Sequence, residues 1–270
     1  MTWTRVLAPL AGGTRDADAL AAARALAAPF GATLQAGYCA PPPERLFNWV
    51  NEAGPSPGDL AIGELGRISA CGEASVRGQL AGLKYPKAAL ENLTSQDWCA
   101  LRTAARFADV VVWGREPACG HGVFASPFRR VLLEERRPAF VVDTPPQTNG
   151  LAVIAWDGGQ SAAQAVRSAL PWLAHAACVV VLTAPHANAH PCGPERVLAF
   201  LDEHGIAAKS LAIHGRGDVG CLLVDTARRL GATTLVAGAY GQDPIRRFIF
   251  GGVTRTLLDA APGIGLFLSH

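Results

Sequence analysis

Short apolar runs recur along this chain without strict alternation, which marks strands buried on both faces, as in a parallel sheet. Between them lie segments with apolar positions at helical spacing. In the second half the pattern predicts strands at 151–156, 178–183, 208–213, 233–237 and 264–268. Helices are predicted at 160–174, 193–204, 218–230 and 252–260. Strands that alternate with helices build βαβ units and hence a doubly wound α/β sheet. The first half follows the same plan. Its third strand is placed at 88–93, and 40–60, with Ala40-Pro-Pro-Pro and Gly54-Pro-Ser-Pro-Gly58, is expected to be an irregular excursion.

The two halves repeat one another. Thr103 to Gly114 and Thr226 to Gly238 each read as the end of an amphipathic helix, a turn, a buried strand and a glycine. A polar loop, a helix with a Leu-Leu pair (Leu132-Leu133, Leu257-Leu258) and a last apolar strand follow in both. Val6 to Gly13 likewise parallels Val153 to Gly159. Between the halves, Thr144-Pro-Pro-Gln-Thr-Asn-Gly150 reads as a linker. The expected domains are therefore 1–148 and 149–270.

With 270 residues, half of them hydrophobic, the chain can bury a sizeable core. A formal net charge of +2 gives no reason to expect a nucleic acid or an acidic membrane as partner. The apolar run Val6 to Leu10 is too short for a leader, and no run reaches the roughly 20 residues of a membrane span. The seven cysteines form no CxxC pair, so a reducing, cytoplasmic setting is expected. Cys39, Cys71, Cys99, Cys178 and Cys221 are expected in the core.

In a doubly wound sheet, ligands bind beyond the carboxyl ends of the strands, where strand order reverses. Two loops of the second half stand there. After strand one comes Asp157-Gly158-Gly159-Gln160-Ser161; after strand four comes Gly238-Ala-Tyr-Gly241, leading to Gly251-Gly252-Val253-Thr254 at a helix start. Glycines let the backbone approach a phosphate, and the free N–H groups of a helix N-terminus bind the anion. Arg246, Arg247 and Arg255 could add positive charge.

The spacing Gly238-x2-Gly241-x9-Gly251-Gly252, with Asp157 closing strand one, resembles the ATP-binding pattern of the universal stress protein family. The likeness covers both halves and is fuller from 151 to 270. It implies two Rossmann-like domains of strand order 3-2-1-4-5, packed as an intramolecular pseudo-dimer through their last strands, with a further homodimer left open. It also implies ATP, with or without magnesium, as ligand. The implied contacts are Ala155, Trp156, Asp157, Ala184, Ala237, Gly238, Tyr240, Gly241, Gly251, Gly252, Val253 and Thr254.

Two departures matter. Gly252 replaces the expected Ser/Thr, with Thr254 nearby as a substitute hydroxyl; in the first half, Ala11 stands where Asp157 stands and the loop after Gly114 is shorter. The first site is therefore expected to be degenerate.

Plainer readings stay open. Asp157 also suits a helix cap, Gly238 and Gly241 a strand-to-helix turn, and Trp113 and Trp156 the core. His186, His190 and Cys192 have metal-like spacing but no second pair, and Cys119 and His121 read as loop residues. There is no Gly-x4-Gly-Lys-(Ser/Thr) and no Gly-x-Gly-x-x-Gly after strand one. No catalytic constellation stands out either. A stress-response ATP-binding regulator with little or no hydrolysis is expected, against a protein-interaction module without nucleotide or a slow ATPase.

Overall fold

The computed structural model describes residues 2–40, 58–184, 192–215, 217–239 and 252–270, with side chains of 58–65 left aside. The first half runs β1 (Arg5–Leu10), α1 (Asp16–Ala27), β2 (Thr33–Tyr38), α2 (Gly58–Gly82) and β3 (Ala88–Asn92). It continues with α3 (Cys99–Ala105), β4 (Val110–Gly114), α4 (Arg115–Ala118), α5 (Ala125–Leu133) and β5 (Ala139–Val142). The second half runs β6 (Leu151–Trp156), α6 (Gln160–Leu173), β7 (Cys178–Thr183), α7 (Pro194–Glu203) and β8 (Ala208–Ala212). It ends with α8 (Val219–Arg229), β9 (Ala232–Gly238), α9 (Gly252–Ala260) and β10 (Gly265–Ser269). Helix α2 starts at Gly58, inside the stretch expected to be irregular through residue 60.

The ten strands form one sheet of order β3-β2-β1-β4-β5-β10-β9-β6-β7-β8, so each half is a parallel 3-2-1-4-5 sheet. The halves meet at the one antiparallel pair among the described residues, β5 against β10, with Val141 opposite Leu266, Phe140 opposite Phe267 and Ala139 opposite Leu268. Alternate residues of each strand feed two cores. Val6, Ala8 and Leu10 of β1 face a core shared by α1, α2, α6 and α7, while Leu7 faces one shared by α3, α5, α8 and α9. In α6 the buried Ala162, Ala165, Val166, Ala169 and Leu170 fall at i, i+3, i+4, i+7 and i+8, which is why that stretch is helical and packed.

Aromatic rings knit the halves together in the first core. Trp3 stacks on Trp172 and on Phe267, and Phe140 meets Trp172 edge to face at 5.3 Å. Trp172 Nε1 donates to Thr234 Oγ1, so its one polar atom is satisfied. Gly265 is required here: a Cβ on it would lie 2.6 Å from the Phe140 ring.

A polar clamp does the same in the second core. Arg115 of α4, only 14% exposed, pairs with Asp143 and donates to the carbonyls of Leu258 and Ala261 at the C-terminal end of α9. A cation at a helix C-terminus satisfies carbonyls that have no partner within the helix.

All seven cysteines are free, but the sequence expectation for them is corrected. Of the five expected in the core only Cys39 is buried; Cys71, Cys99, Cys178 and Cys221 are exposed, because they lie on outward helix faces or at a strand start. Among the described residues, no helix is long and apolar enough to cross a membrane, and no group of three or more His, Cys, Asp or Glu is placed to hold a metal. His186 and His190 lie outside the described residues.

Two outcomes are expected. Burial pushes the Cys39 thiol up to about 12, so native alkylation at pH 8 should modify the four exposed cysteines and spare Cys39, as read by peptide mass spectrometry. Because the unfolded thiol ionises near 9 while the folded one keeps its proton, stability should also fall as pH rises from 9 towards 12. Second, residues 149–270 alone would leave the β10 edge that pairs with β5 bare. That fragment should self-associate or aggregate in light scattering; a soluble, stable monomer would contradict this.

Candidate functional site

The reversals of strand order fall between β1 and β4 in the first half and between β6 and β9 in the second. The loops beyond those strand ends are the candidate sites, and they differ.

In the second half, parallel pairing sets Ala155 beside Ala237, which brings the loop after Trp156 next to Gly238. Asp157 is exposed, and its Oδ1 accepts the Gly159 N–H at 2.8 Å. This bond shapes the turn; the N-cap of α6 is Gly159, not Asp157. The left-handed backbone of Gly158, φ +78°, completes the turn and needs glycine. Gly238 has a steric duty as well: a Cβ there would lie 2.6 Å from Ala162 N and 2.7 Å from the Ser161 carbonyl carbon. Its bare backbone lets the first turn of α6 seat on the end of β9.

Beyond Gly238, Ala239 is fixed between the chain end and β10. Its N–H donates to Ser269 O, and its carbonyl meets His270 Nδ1. At the start of α9, Gly252 is exposed and Val253 half-buried. Thr254 is 5% exposed on the face that also buries Leu257 and Leu258. It therefore sits with the core rather than at the open first turn. Thr256 Oγ1 donates back to the Gly252 carbonyl.

Ala155, Trp156, Asp157, Ala184, Ala237, Gly238, Gly252, Val253 and Thr254 are thus on the described elements. Trp156 is 7% exposed and belongs to the core, with its Nε1 donating to the Cys192 carbonyl. Tyr240, Gly241 and Gly251 lie outside the described residues, as do Asp243, Arg246 and Arg247. Arg255 pairs with Asp259 one turn along α9.

The matching place in the first half is filled by the chain itself. Ala11 follows β1 where Asp157 follows β6, and it contributes no side-chain acceptor. The N–H groups of Ala11 and Gly12 donate instead to Asp16, at 3.3 and 2.7 Å. Asp16 is buried, and burial pushes its carboxyl up while these backbone donors pull it down.

Helix α2 then closes over the loop. A Cβ on Gly12 would lie 2.5 Å from Gly72 Cα, and one on Gly72 would lie 2.5 Å from the Tyr38 hydroxyl, which donates to Ser69 O. Across the strand ends, Arg15 forms an ion pair with Glu116 in α4. Position 115 is turned away into the α9 clamp, whereas its second-half counterpart is Ala239. Sequence reasoning saw the loss of the aspartate but not these closures. Apart from the local turn onto Asp16, they join residues 31 to 101 positions apart, and the only local signals were Gly12-Gly13 and Asp16.

No family model matches the chain, and no curated protein resembles it in sequence. Its architecture does have solved counterparts. A universal stress protein from Archaeoglobus fulgidus DSM 4304 is 13% identical, with 99% of this chain and 96% of that one aligned at a TM-score of 0.66. A functionally unknown protein from Pseudomonas aeruginosa PAO1 is 13% identical, at 99% and 92% coverage and a TM-score of 0.59. A third structure, from Pseudomonas aeruginosa UCBPP-PA14, is 14% identical at 99% and 93% coverage and a TM-score of 0.58. The chain is a two-domain α/β protein of the Rossmann-like class. Within that class it has the tandem universal stress protein fold.

The two strand-end glycines should respond differently to one methyl group. Gly238→Ala is expected to cost about 1–3 kcal/mol through overpacking. Gly114, where a Cβ would meet nothing closer than Pro117 Cδ at 3.9 Å, should tolerate alanine at less than about 1 kcal/mol. Urea unfolding of the two variants measures the difference.

Proposed function

We propose that this chain is a cytoplasmic stress-response regulator that binds one ATP, in residues 149–270, and hydrolyses it slowly or not at all. Residues 1–148 are then a degenerate copy kept for its packing. The observation that carries this reading is the contrast between the two crevices. One has an exposed carboxylate at Asp157 and an exposed helix start at Gly252. The other is occupied by Asp16, covered by α2 and bridged by Arg15 and Glu116.

Asp157 uses Oδ1 on Gly159 and keeps Oδ2 for hydroxyl donors of the kind a ribose offers. The N–H groups at the start of α9 would receive phosphate oxygens, with Gly238, Gly241 and Gly251 allowing the loop close approach. Ala155, Ala184 and Ala237 would line the base, and magnesium would enter with the triphosphate. Fold alone does not carry function; the reading rests on this site.

Backbone donors hold a triphosphate without activating water, since in-line attack needs a positioned base or water-orienting group. A bound triphosphate would then act as a conformational ligand. A slow ATPase would require such a group, and Asp243 is the nearest carboxylate in the loop after Gly238.

One observation favours the second reading, a protein-interaction module without nucleotide. The first turn of α9 offers no free hydroxyl: Gly252 has none, Thr254 is buried and Thr256 is turned back onto Gly252. Losing one such hydroxyl-to-phosphate hydrogen bond costs about 1.5–3 kcal/mol, which weakens ATP binding rather than abolishing it.

Calorimetry on the full chain is expected to find one ATP per chain. Asp157→Ala should weaken binding by about tenfold or more, as loss of a charge-assisted hydrogen bond does. At 100 times the dissociation constant, ATP should stabilise the fold by roughly 2.7 kcal/mol. Two equal sites, or no binding at all, would refute the reading, and turnover of many ATP per second would refute the claim on hydrolysis.

A further inference from the structure

Between α6 and α7 lies an open groove of about 190 Å³ that the nucleotide reading does not use. Its floor is Val166 and Val197, 1% and 3% exposed. Trp156 and Phe200 are the two aromatic residues in its lining. Because Trp156 Nε1 already donates to the Cys192 carbonyl at 3.1 Å, its ring presents only carbon to the groove.

The groove's charged side chains are both cations, Arg167 and Arg196. The Arg167 guanidinium sits over the Phe200 ring, 5.9 Å from its centroid, a cation–π contact. Arg196 stands one turn before Phe200 on the same helix. Among the described residues neither arginine is paired with a carboxylate, whereas Arg77, Arg102, Arg106 and Arg115 all are.

We propose that this groove binds a small aromatic monocarboxylate, its ring between Trp156 and Phe200 and its carboxylate on Arg167 and Arg196. An apolar cavity with a few convergent polar groups is the usual form of a small-molecule site. Two aromatic rings in the lining favour an aromatic body through stacked or edge contacts. Planar guanidiniums match a carboxylate through paired N–H donors. A free phosphate would leave the apolar floor uncovered. The site is separate from the nucleotide crevice. Trp156 faces the α6 and α7 core, while Ala155 and Ala237 pack against the opposite one.

The test uses the full chain with indole-3-acetate, and indole-3-acetamide as the uncharged control, followed by calorimetry. The acid should bind saturably, and the amide about tenfold more weakly or less, since it lacks the charge-assisted pairing. The double variant Arg167→Met/Arg196→Met keeps the apolar stems and should lose about tenfold or more of the acid's affinity with ATP binding unchanged. Ala163→Trp, on the same face of α6, should fill the groove and abolish binding. Thermal melts by circular dichroism confirm that each variant folds. No saturable binding at millimolar acid, equal binding of acid and amide, full affinity in the double variant, or displacement of the acid by ATP would each overturn the proposal. The comparisons of acid with amide and of wild type with the groove variants do not require that ATP bind.

Discussion

The antiparallel seam between β5 and β10 is the constraint on which the rest depends. Each half ends in a strand whose residues are buried on both faces, and such a strand cannot stand at a free edge. Pairing the two strands removes both edges at once. It also aligns Phe140 with Phe267 and sets Trp3 and Trp172 around them. The edges that remain, β3 and β8, expose most of their residues, among them Glu91, Asn92, Lys209 and Ser210, as strands facing water should.

The seam and the Arg115 clamp hold the halves together. The first half's crevice is satisfied internally: the N–H groups after β1 find Asp16, α2 presses Gly72 against Gly12, and Arg15 reaches Glu116. Where the second half presents Ala239, the first presents Arg115, and that side chain serves the far half's α9. The same α/β plan therefore holds two different strand-end chemistries: Asp16 takes up the loop N–H groups in the first half, and Asp157 stands exposed in the second.

Much of this architecture was legible in the sequence because it is periodic and local. Unalternating runs such as Val110-Val-Val and Val179-Val-Val mark doubly covered strands, and the spacing of Ala162, Val166 and Ala169 marks a packed helix. The repeat then fixed the class. Burial of cysteines was misread because an apolar neighbour does not say which helix face a residue occupies; Cys71 and Cys221 point outward. Contacts between distant segments left no local trace. Nothing near Gly12 announces Gly72, and nothing near Gly238 announces that Ser161 and Ala162 pack against it. The groove of Arg167 and Arg196 was missed for the same reason, since its walls come from separate helices and a strand end.

The central claim, that one crevice is open to a nucleotide and the other is closed by its own chain, is tested most directly by hydrogen exchange on the full chain with and without ATP. The account predicts slower exchange at Asp157–Gly159, Gly238–Ala239 and the first turn of α9, with no change at Ala11–Asp16. Equal protection in both halves, or none in either, would contradict it.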